Sequence, residues 1–326
     1  MRFKNHIFSP MTNAIDAYTI AFYNVENLFD IHNDPLTSDD DFVSTSAKRW
    51  VAKRYQNKLM KLGTVISKIG NENAEKAPVI IGLAEVENEK VVADLVRSKH
   101  LIDEAYSYVH FDSSDERGID VALLYKADFK VETSEVFSVY LQNDIGEQDY
   151  TRDILVVKGK LNTENLHIIV NHWSSRREGE KQTEPKRIAA ANKVNSIIKQ
   201  IKNKDQDAKI IVMGDFNDNP NNASISLLEN ESQLYNPFKT VWSPNKGSMS
   251  YNFKWNCFDQ ILFSANFFDV NNSTLIFDNA NVFNAKFLTQ YKGKYKGQPY
   301  RTYVGKKYKG GYSDHFPVFI ELKCQY

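Results

Sequence analysis

Short apolar runs that end abruptly in polar residues recur along the chain. The clearest is the run at residues 209–213 in KIIVMGDFNDNP (209–220), which stops at Gly214 and Asp215. A short, continuous, β-branched run bounded by turn residues is typical of a strand that is covered on both faces. Runs that predict further strands occupy residues 19–24, 78–84, 106–111, 119–125, 131–139, 154–161, 166–171, 258–263 and 316–322.

A helical period marks three other segments. The longest covers about residues 47–69 and has one apolar stripe: Tyr55, Leu59, Leu62, Ile66 and Ile69. Thr45 or Ser46 can cap its start, and Gly70 can end it. A second helix is expected to start near Pro185, a residue favoured in the first turn, and a short one to bury Val91, Val92 and Leu95.

Strands outnumber helices in this pattern, and hairpins dominate over strict β-α-β alternation. The runs between residues 106 and 139 follow each other like a meander, and those at 154–161 and 166–171 form an antiparallel pair. The pattern predicts two mixed sheets packed face to face with helices outside. Neither a repeat nor a flexible linker divides the chain, so we expect one domain at 18–326 after an extension at 1–17.

Composition narrows the class of protein without naming a partner. The 326 residues are 42% hydrophobic and 25% charged, as in an ordinary globular protein, and the formal net charge is zero. Attraction to nucleic acid or to an anionic membrane must therefore come from a local patch. The pattern lacks a secretory signal and an apolar run of about 20 residues, so we expect a cytoplasmic monomer with no membrane span. Cys257 and Cys324 are expected to be buried thiols, although a disulfide between them stays open.

Polar side chains follow most of the predicted strands. Taken singly, each is ordinarily a turn, cap or satisfied structural residue. Together they provide carboxylates for a hard cation, imidazoles that exchange protons, and amides that orient ligands. Glu85 is the best candidate for a Mg²⁺ carboxylate, and the full set is Asn24, Glu85, Asn171, His172, Asp215, Asn217, Asp259, Asp314 and His315.

The ordered motifs resemble the endonuclease/exonuclease/phosphatase superfamily, which includes DNase I, repair nucleases, sphingomyelinases and inositol-polyphosphate 5-phosphatases. The matching pieces span about residues 18–323: FYNVENLF (22–29), GLAEVEN (82–88), YTRDILVVKG (150–159), VNHWSSR (170–176), GDFND (214–218), FDQILFS (258–264) and YSDHFPV (312–318). The resemblance implies a four-layer α/β sandwich with two central mixed sheets.

The same resemblance implies roles for the strand-end residues. Glu85 would be the direct metal ligand, with Asn24 in the metal site and Asp314 as a metal-proximal or supporting carboxylate. Asp215 would orient or deprotonate the attacking water, and Asn217 would hold that water and the phosphoryl group. The metal implied is Mg²⁺, with Mn²⁺ as a substitute.

Three further positions follow from the resemblance. His315 would contact the scissile phosphate, and Asp259 would fix its tautomer. His172, in NHWSS, favours the DNase I-like and sphingomyelinase-like branch over repair nucleases and is the candidate general acid. Arg152 resembles an arginine directed at substrate phosphate, for which its planar fork is suited. The alternative for Arg152 is an ion pair with Asp149 or Asp153.

Residues 286–312 form a basic segment in which lysines and arginines alternate with tyrosines and glycines. Cations interleaved with aromatic rings suit a charged backbone with stackable bases, and equally a multiply phosphorylated small molecule. Lys294 and Arg301 are the substrate-binding candidates here, together with Asn171 beside His172. The alternative is a solvated hairpin.

The sequence therefore predicts a Mg²⁺-dependent phosphodiesterase, foremost a DNase I-like nuclease acting on nucleic acid. The alternative within enzymes is a hydrolase of phosphorylated small molecules or phospholipid head groups. A non-catalytic polyanion-binding protein is the third hypothesis. Metal-dependent cleavage separates it from the two enzymes.

Overall fold

The computed structural model describes residues 17–70, 76–143 and 145–325. The predicted N-terminal extension therefore lies outside the described residues, except for Ala17, which begins the first strand. Both cysteines are free and buried, which confirms the expectation of two thiols. Within the described ranges, no helix combines the length and the apolar character that crossing a membrane requires.

The described residues contain eighteen strands. In chain order they are β1 (Ala17–Leu28), β2 (Ile80–Val86), β3 (Ser107–His110), β4 (Asp120–Tyr125), β5 (Phe129–Phe137), β6 (Leu141–Gln142), β7 (Gln148–Asp149), β8 (Ile154–Leu161), β9 (Glu164–His172), β10 (Lys209–Asp215), β11 (Leu234–Tyr235), β12 (Met249–Tyr251), β13 (Lys254–Asn256), β14 (Asp259–Ser264), β15 (Leu275–Val282), β16 (Tyr303–Val304), β17 (Lys307–Tyr308) and β18 (Val318–Cys324). The helices are α1 (Ala52–Ile66), α2 (Glu89–Val96), α3 (Glu180–Lys204), α4 (Ala223–Ser232) and α5 (Phe238–Val241).

Two six-stranded mixed sheets form the centre of the molecule. The first has the strand order β15-β18-β1-β2-β4-β3, and the second has the order β11-β14-β10-β9-β8-β5. Each sheet contains a single parallel pair among its described strands, β1 with β2 and β9 with β10. The other neighbours are antiparallel.

Side-chain alternation along the strands builds the layers. On β10, Ile211 and Met213 join the core between the sheets, whereas Ile210 and Val212 pack with the apolar faces of α3 and α4. Helices α1 and α2 cover the first sheet. The sheets approach closely at Gly82, where an added Cβ would lie 2.6 Å from Met213 Sδ. The fold is the expected four-layer sandwich.

Two helix starts differ from the sequence prediction. Helix α1 begins at Ala52 after Val51, and no side chain caps it. Ser46 instead donates its hydroxyl to the Val43 carbonyl in the preceding turn. Helix α3 begins at Glu180, so Pro185 lies inside it, one turn after the start. A proline there removes one helical hydrogen bond without ending the helix.

The predicted meander is wrong after β4. Strands β3 and β4 pair as expected, but β5 joins β8 in the second sheet. Only residues 126–128 connect β4 to β5, so the chain changes sheets in a tight turn. Strand β5 is the edge of its sheet and is largely exposed, which its polar sequence allows.

Candidate active site

The two parallel pairs bring their carboxyl ends to one place. In the first sheet Asn24 lies beside Ala84, the residue before Glu85, and in the second Asp215 lies beside His172. Asn24 Nδ2 donates to Asp215 Oδ2 across the sheets at 2.9 Å. Carboxyl ends of neighbouring parallel strands are where α/β folds present functional side chains. The fold therefore brings these four residues together at one edge of the two sheets.

The antiparallel neighbours complete the cluster. Asp259 opens β14 directly opposite Asp215. His315 precedes β18, which pairs with β1, and its backbone forms a bridge to Met249 of β12. Ser313 fixes this turn, because its hydroxyl donates to the Asn24 carbonyl at 2.7 Å and accepts from the His315 amide at 3.0 Å.

Glu85 reaches the site through an irregular backbone. Ala84 lies two residues after Gly82 and therefore faces the second sheet, as Gly82 does. Regular alternation would point the next residue, Glu85, away from the second sheet. Glu85 instead has a φ of 65°, in the left-handed region that is costly for a non-glycine residue. Its carboxylate accepts from the Asn27 amide at 2.8 Å, which holds this conformation.

Asp215 is the centre of the cluster. Its Oδ1 accepts from the Asn217 amide at 2.9 Å. Its Oδ2 lies 3.9 Å from Nε2 of His172 and 3.9 Å from Nε2 of His315. These two distances exceed a hydrogen bond, so neither imidazole is bonded directly to this oxygen, and an oxygen atom placed to one side of the pair could contact both. Burial and the nearby Asp259 carboxylate raise the pKa of Asp215 to about 7.

The two imidazoles have opposite charge preferences. Burial lowers the pKa of His315, but the Asp259 and Asp215 carboxylates outweigh it and hold the pKa well above the usual value. Asp259 is fully buried and contacts His315 Nδ1 at 2.7 Å. For His172, burial and the Arg152 guanidinium lower the pKa well below its usual range. His315 is therefore the imidazolium and His172 the neutral ring.

A buried ion-pair network fixes the GDFND turn. Asp218 accepts from Arg176 at 2.6 Å and from Ser224 at 2.6 Å, and it pairs with buried Arg187 at 2.8 Å. Asn217 has a left-handed φ of 50° and donates its amide to the Trp173 carbonyl at 3.0 Å. Sequence reasoning quoted Asp218 within the motif but did not find this positioning role.

The Glu85 side fits a hard divalent cation. Glu85 is partly exposed, and its Oε1 has only a long contact, 3.4 Å from Asn24 Nδ2. Burial, followed by the Asp314 carboxylate, raises the pKa of Glu26 to about 7. One available carboxylate, with the remaining positions left to water and substrate, matches Mg²⁺ coordination.

Asp314 and Arg301 are paired with each other. Arg301 donates to Asp314 Oδ2 at 2.7 Å and contacts Glu26 Oε1 at 3.5 Å. Burial opposes ionisation of Asp314, but Arg301 prevails and the pKa of Asp314 is lowered. Asp314 thus holds Arg301 beside the site, and this arginine is 43% exposed on its side chain.

Two predicted substrate contacts are corrected. Arg152 is buried and pairs with Asp115 at 3.0 Å, not with Asp149 or Asp153, while its other nitrogens donate to the carbonyls of His172 and Trp173. Asn171 is fully buried and bonds to the Met213 carbonyl and Trp173 Nε1, because alternation turns it to the face opposite His172. Both support the strand end instead of facing a substrate.

A basic rim borders the site. Lys294 lies 4.9 Å from the centre of the Tyr295 ring, which stacks on Phe253 at 5.4 Å. Phe253 belongs to the β12–β13 hairpin, the same hairpin that bridges to His315. A separate cavity of about 350 Å³ beside Glu26 and Asn27 is lined by four cations: Lys48, Arg177, Arg301 and Lys306.

Arg117 and Asp115 were missed by sequence reasoning. Arg117 donates to Oδ1 of Asn27 at 2.6 Å, and the backbone amide of the same Asn27 holds Glu85. Asp115 holds Arg152 behind His172. Both lie in the segment FDSSDERG (111–118), which matches no motif, so only the folded chain shows where this loop goes.

The strand-end carboxylates and imidazoles on a two-sheet sandwich define the class of DNase I-like phosphoric ester hydrolases. The chain belongs to the endonuclease/exonuclease/phosphatase family, whose model matches residues 19–324. Comparison with curated proteins gives no match.

Solved structures similar to this chain share its fold. One is an endonuclease/exonuclease/phosphatase family protein from Bacteroides thetaiotaomicron, with a TM-score of 0.60, 16% identity, and coverage of 95% of this chain and 99% of that one. Truncated Caenorhabditis elegans TDP2 has a TM-score of 0.58 and 14% identity, with coverage of 94% of this chain and 98% of that one. A Bacteroides thetaiotaomicron mannosyl-6-phosphatase gives 0.56 at 17% identity, covering 94% and 99%. Likeness at these identities shows the fold alone.

Proposed function

We propose that this protein is a Mg²⁺-dependent phosphodiesterase, foremost a DNase I-like nuclease, in which Mn²⁺ can replace Mg²⁺. One observation carries the proposal. The Asp215 carboxylate, whose pKa is near neutrality, faces a charged and a neutral imidazole, each 3.9 Å away. A base and two ring nitrogens around one gap suit the in-line attack of water on a phosphate.

Each residue then has a task that its environment favours. Asp215 takes a proton from the attacking water, since a base works best with a pKa near the working pH. Asn217 Nδ2 donates to the Trp173 carbonyl, and its Oδ1, with no hydrogen bond to another described residue, can orient that water. His315, held charged by Asp259, donates to a phosphoryl oxygen on which negative charge grows.

The charge of the bound substrate changes the protonation of His172. In the free protein its pKa is low, so it carries no proton to give. An anionic phosphate beside the ring favours the charged form and raises this pKa. His172 thereby becomes the donor to the leaving oxygen only when substrate is bound.

Glu85 would hold the metal, with Asn24 orienting its carboxylate. A bound Mg²⁺ supplies positive charge at the phosphoryl oxygens and the leaving oxygen. Asp314 contributes indirectly, since it holds Arg301 where the guanidinium can meet a phosphate.

The rim favours a nucleic acid as substrate. The Phe253–Tyr295 stack and Lys294 offer an aromatic platform next to a cation, which suits a base and its phosphate. The cavity with Lys48, Arg177, Arg301 and Lys306 supports the second candidate, a hydrolase of small phosphorylated molecules. A purified-protein screen with Mg²⁺ against plasmid DNA, structured RNA, bis-p-nitrophenyl phosphate and inositol phosphates separates the two.

Asp215→Asn tests the catalytic assignment. It keeps an acceptor for the Asn217 backbone amide, loses the acceptor for Asn24 Nδ2 and removes the base. We therefore expect cleavage to fall by about a thousandfold or more, within the range for such groups. Asp103→Asn, on an exposed turn, is the matched control and should retain full activity. Circular dichroism checks that both variants fold. Near-wild-type cleavage by a folded Asp215→Asn protein would overturn the assignment.

A further inference from the structure

We propose that His110, Asp112 and Asp120 form a second divalent-ion site of the Mn²⁺ or Zn²⁺ type, separate from the Asp215 cluster. The inference stands apart from the proposed function, because none of these three residues takes part in the reaction described above. His110 ends β3, Asp120 begins β4, and Asp112 lies in the loop between them. One ligand atom from each residue lies within 4.8 Å of the other two.

The buried imidazole points to a ligand. The His110 side chain is only 2% exposed, and its Nε2 has no hydrogen-bond partner among the described residues. An unpaired polar atom in the interior costs free energy, so such an atom calls for a partner. Nε2 faces Asp120 Oδ2 at 3.5 Å.

That separation fits two ligands of one ion better than a hydrogen bond. Hydrogen bonds between nitrogen and oxygen are usually below about 3.2 Å. Two atoms bound at about 2.1 Å to a tetrahedral ion lie about 3.4 Å apart. The second oxygen of Asp120 accepts from the Ser113 amide at 3.0 Å, which orients Oδ2 toward the imidazole.

The third ligand and the surroundings favour a cation. Asp112 is 81% exposed, and its Oδ1 lies 3.9 Å from His110 Nδ1, which is not the ring nitrogen that faces Asp120. Its carboxylate must therefore turn toward Nε2 to reach the ion, which an exposed side chain can do. A neighbouring cavity of about 750 Å³ is lined by carboxylates that include Asp30, Asp34 and Glu87. Burial raises the pKa of Glu87 to about 8, and the Asp30, Asp39 and Asp34 carboxylates add to this shift. A mixed nitrogen and oxygen donor set favours Mn²⁺ or Zn²⁺ over Mg²⁺.

The site also connects to the candidate active site. An ion held by His110, Asp112 and Asp120 would close the base of the 111–119 loop. That loop carries Asp115, which fixes Arg152 behind His172, and Arg117, which reaches Asn27. The second ion would therefore stabilise the supports of His172 and Glu85 without contacting substrate.

Counting bound Mn²⁺ tests the proposal. Equilibrium dialysis with electron paramagnetic resonance should find two ions on the wild-type protein and one on Glu85→Gln. The double variant Glu85→Gln with His110→Gln should bind none. Glu85→Gln with Glu116→Gln is the matched control, since Glu116 lines the same acidic cavity outside the ligand set, and it should still bind one.

The paramagnetic resonance spectrum of the Mn²⁺ that stays bound to Glu85→Gln also tests the second site. In Glu85→Gln the bound Mn²⁺ should show magnetic coupling to an imidazole nitrogen, and His110→Gln should remove that coupling. Asp112→Asn changes an exposed side chain and cannot disturb the core, so it should weaken Mn²⁺ binding by at least tenfold even if His110→Gln fails to fold. An unchanged ion count and affinity in both variants would overturn the second site. Loss of one ion in His110→Gln but not in Glu85→Gln would instead contradict the catalytic metal alone.

Discussion

At the scale of single residues, neighbouring charges set the properties of the two histidines. His315 lies between Asp259 and Asp215, while His172 lies near Arg152 and Arg117. The same imidazole is therefore charged at one position and neutral at the other. Their motifs, NHWSS and YSDH, do not encode this difference, because the arginines reach His172 from other parts of the chain.

Asp259→Asn should shift the pH profile of cleavage to lower pH. Activity requires ionised Asp215, so it rises with pH through about 7, and protonated His315, so it falls at high pH. The Asp259 carboxylate raises both pKa values, and its removal lowers both. We therefore expect both limbs of the kcat/KM profile to move toward acid. Asp269→Asn, at a partly exposed position after β14, should leave the limbs in place. An unmoved alkaline limb in Asp259→Asn would exclude His315 as the group that must stay protonated.

At the scale of elements, period-two alternation accounts for where several of the strand-end residues lie. It sends His172 and Asp215 to the face between the sheets, where they meet. Applied to Asn171, the same alternation places its side chain on the opposite face of the second sheet, the face covered by helices. There it accepts a hydrogen bond from Trp173. Glu85 was proposed from its motif, but its side chain does not follow the alternation. Its left-handed backbone conformation turns the side chain toward the site, and no local sequence pattern indicated that conformation. Loop contacts such as Asp115 with Arg152 depend on the complete fold.

Gly214→Ala should separate strands β9 and β10 at the site. An added Cβ would lie 2.5 Å from the Asn171 carbonyl oxygen, and a backbone atom cannot move away cheaply. We expect a loss of about 1–3 kcal/mol in the free energy of unfolding. Cleavage should fall by up to about a hundredfold, because Asp215 and His172 shift relative to each other.

Ile210→Val, on the same strand but at the helix face, is the control for Gly214→Ala. It should cost about 0.5–1.5 kcal/mol of stability, since it removes one buried methyl group, and leave kcat unchanged. Denaturant titration and steady-state kinetics measure the two effects separately. Equal kcat values in the two variants would show that strand separation at Gly214 does not matter.

Helix α1 anchors the basic segment at residues 300–312. Buried Lys58 donates to Thr302 Oγ1 and to the Tyr312 carbonyl, each at 2.6 Å, and Asn57 donates to the Tyr308 hydroxyl at 2.9 Å. The Thr302 amide donates to Glu26 at 2.6 Å from the other side. Residues 300–312 are thus docked against the helix, whereas residues 291–297 of the same basic segment are exposed.

Lys58→Met should loosen that segment. The variant leaves the Thr302 hydroxyl and the Tyr312 carbonyl without their donor, which should cost about 1–3 kcal/mol. Hydrogen exchange should accelerate across residues 300–312 more than in the sheets. Lys53→Met, on the exposed face of the same helix, is the control and should change neither quantity. Uniform acceleration over the whole protein would indicate general destabilisation in place of a local anchor.

At the scale of the whole molecule, opposite charges occupy different surfaces. The formal net charge is zero, yet the cavity beside Asp30 and Glu87 is acidic, while the cavity beside Arg301 and the rim at Lys294 are basic. The net charge of zero therefore results from separate acidic and basic surface regions that cancel each other. The acidic cavity suits cations and the basic cavity suits anions, a separation of charge that composition does not show.

Salt should weaken substrate binding if the basic rim holds a nucleic acid. Each phosphate contact releases counterions, so KM for single-stranded DNA should rise steeply with salt concentration, and the logarithmic slope counts the contacts. Lys294→Gln should reduce that slope by about 0.7, the value for one contact to a single strand. Lys199→Gln, exposed on α3, keeps the same total charge as Lys294→Gln and should leave the slope unchanged. A KM that is flat with salt in all three proteins would argue for a small phosphorylated substrate, bound where Arg301 and Arg177 line the cavity.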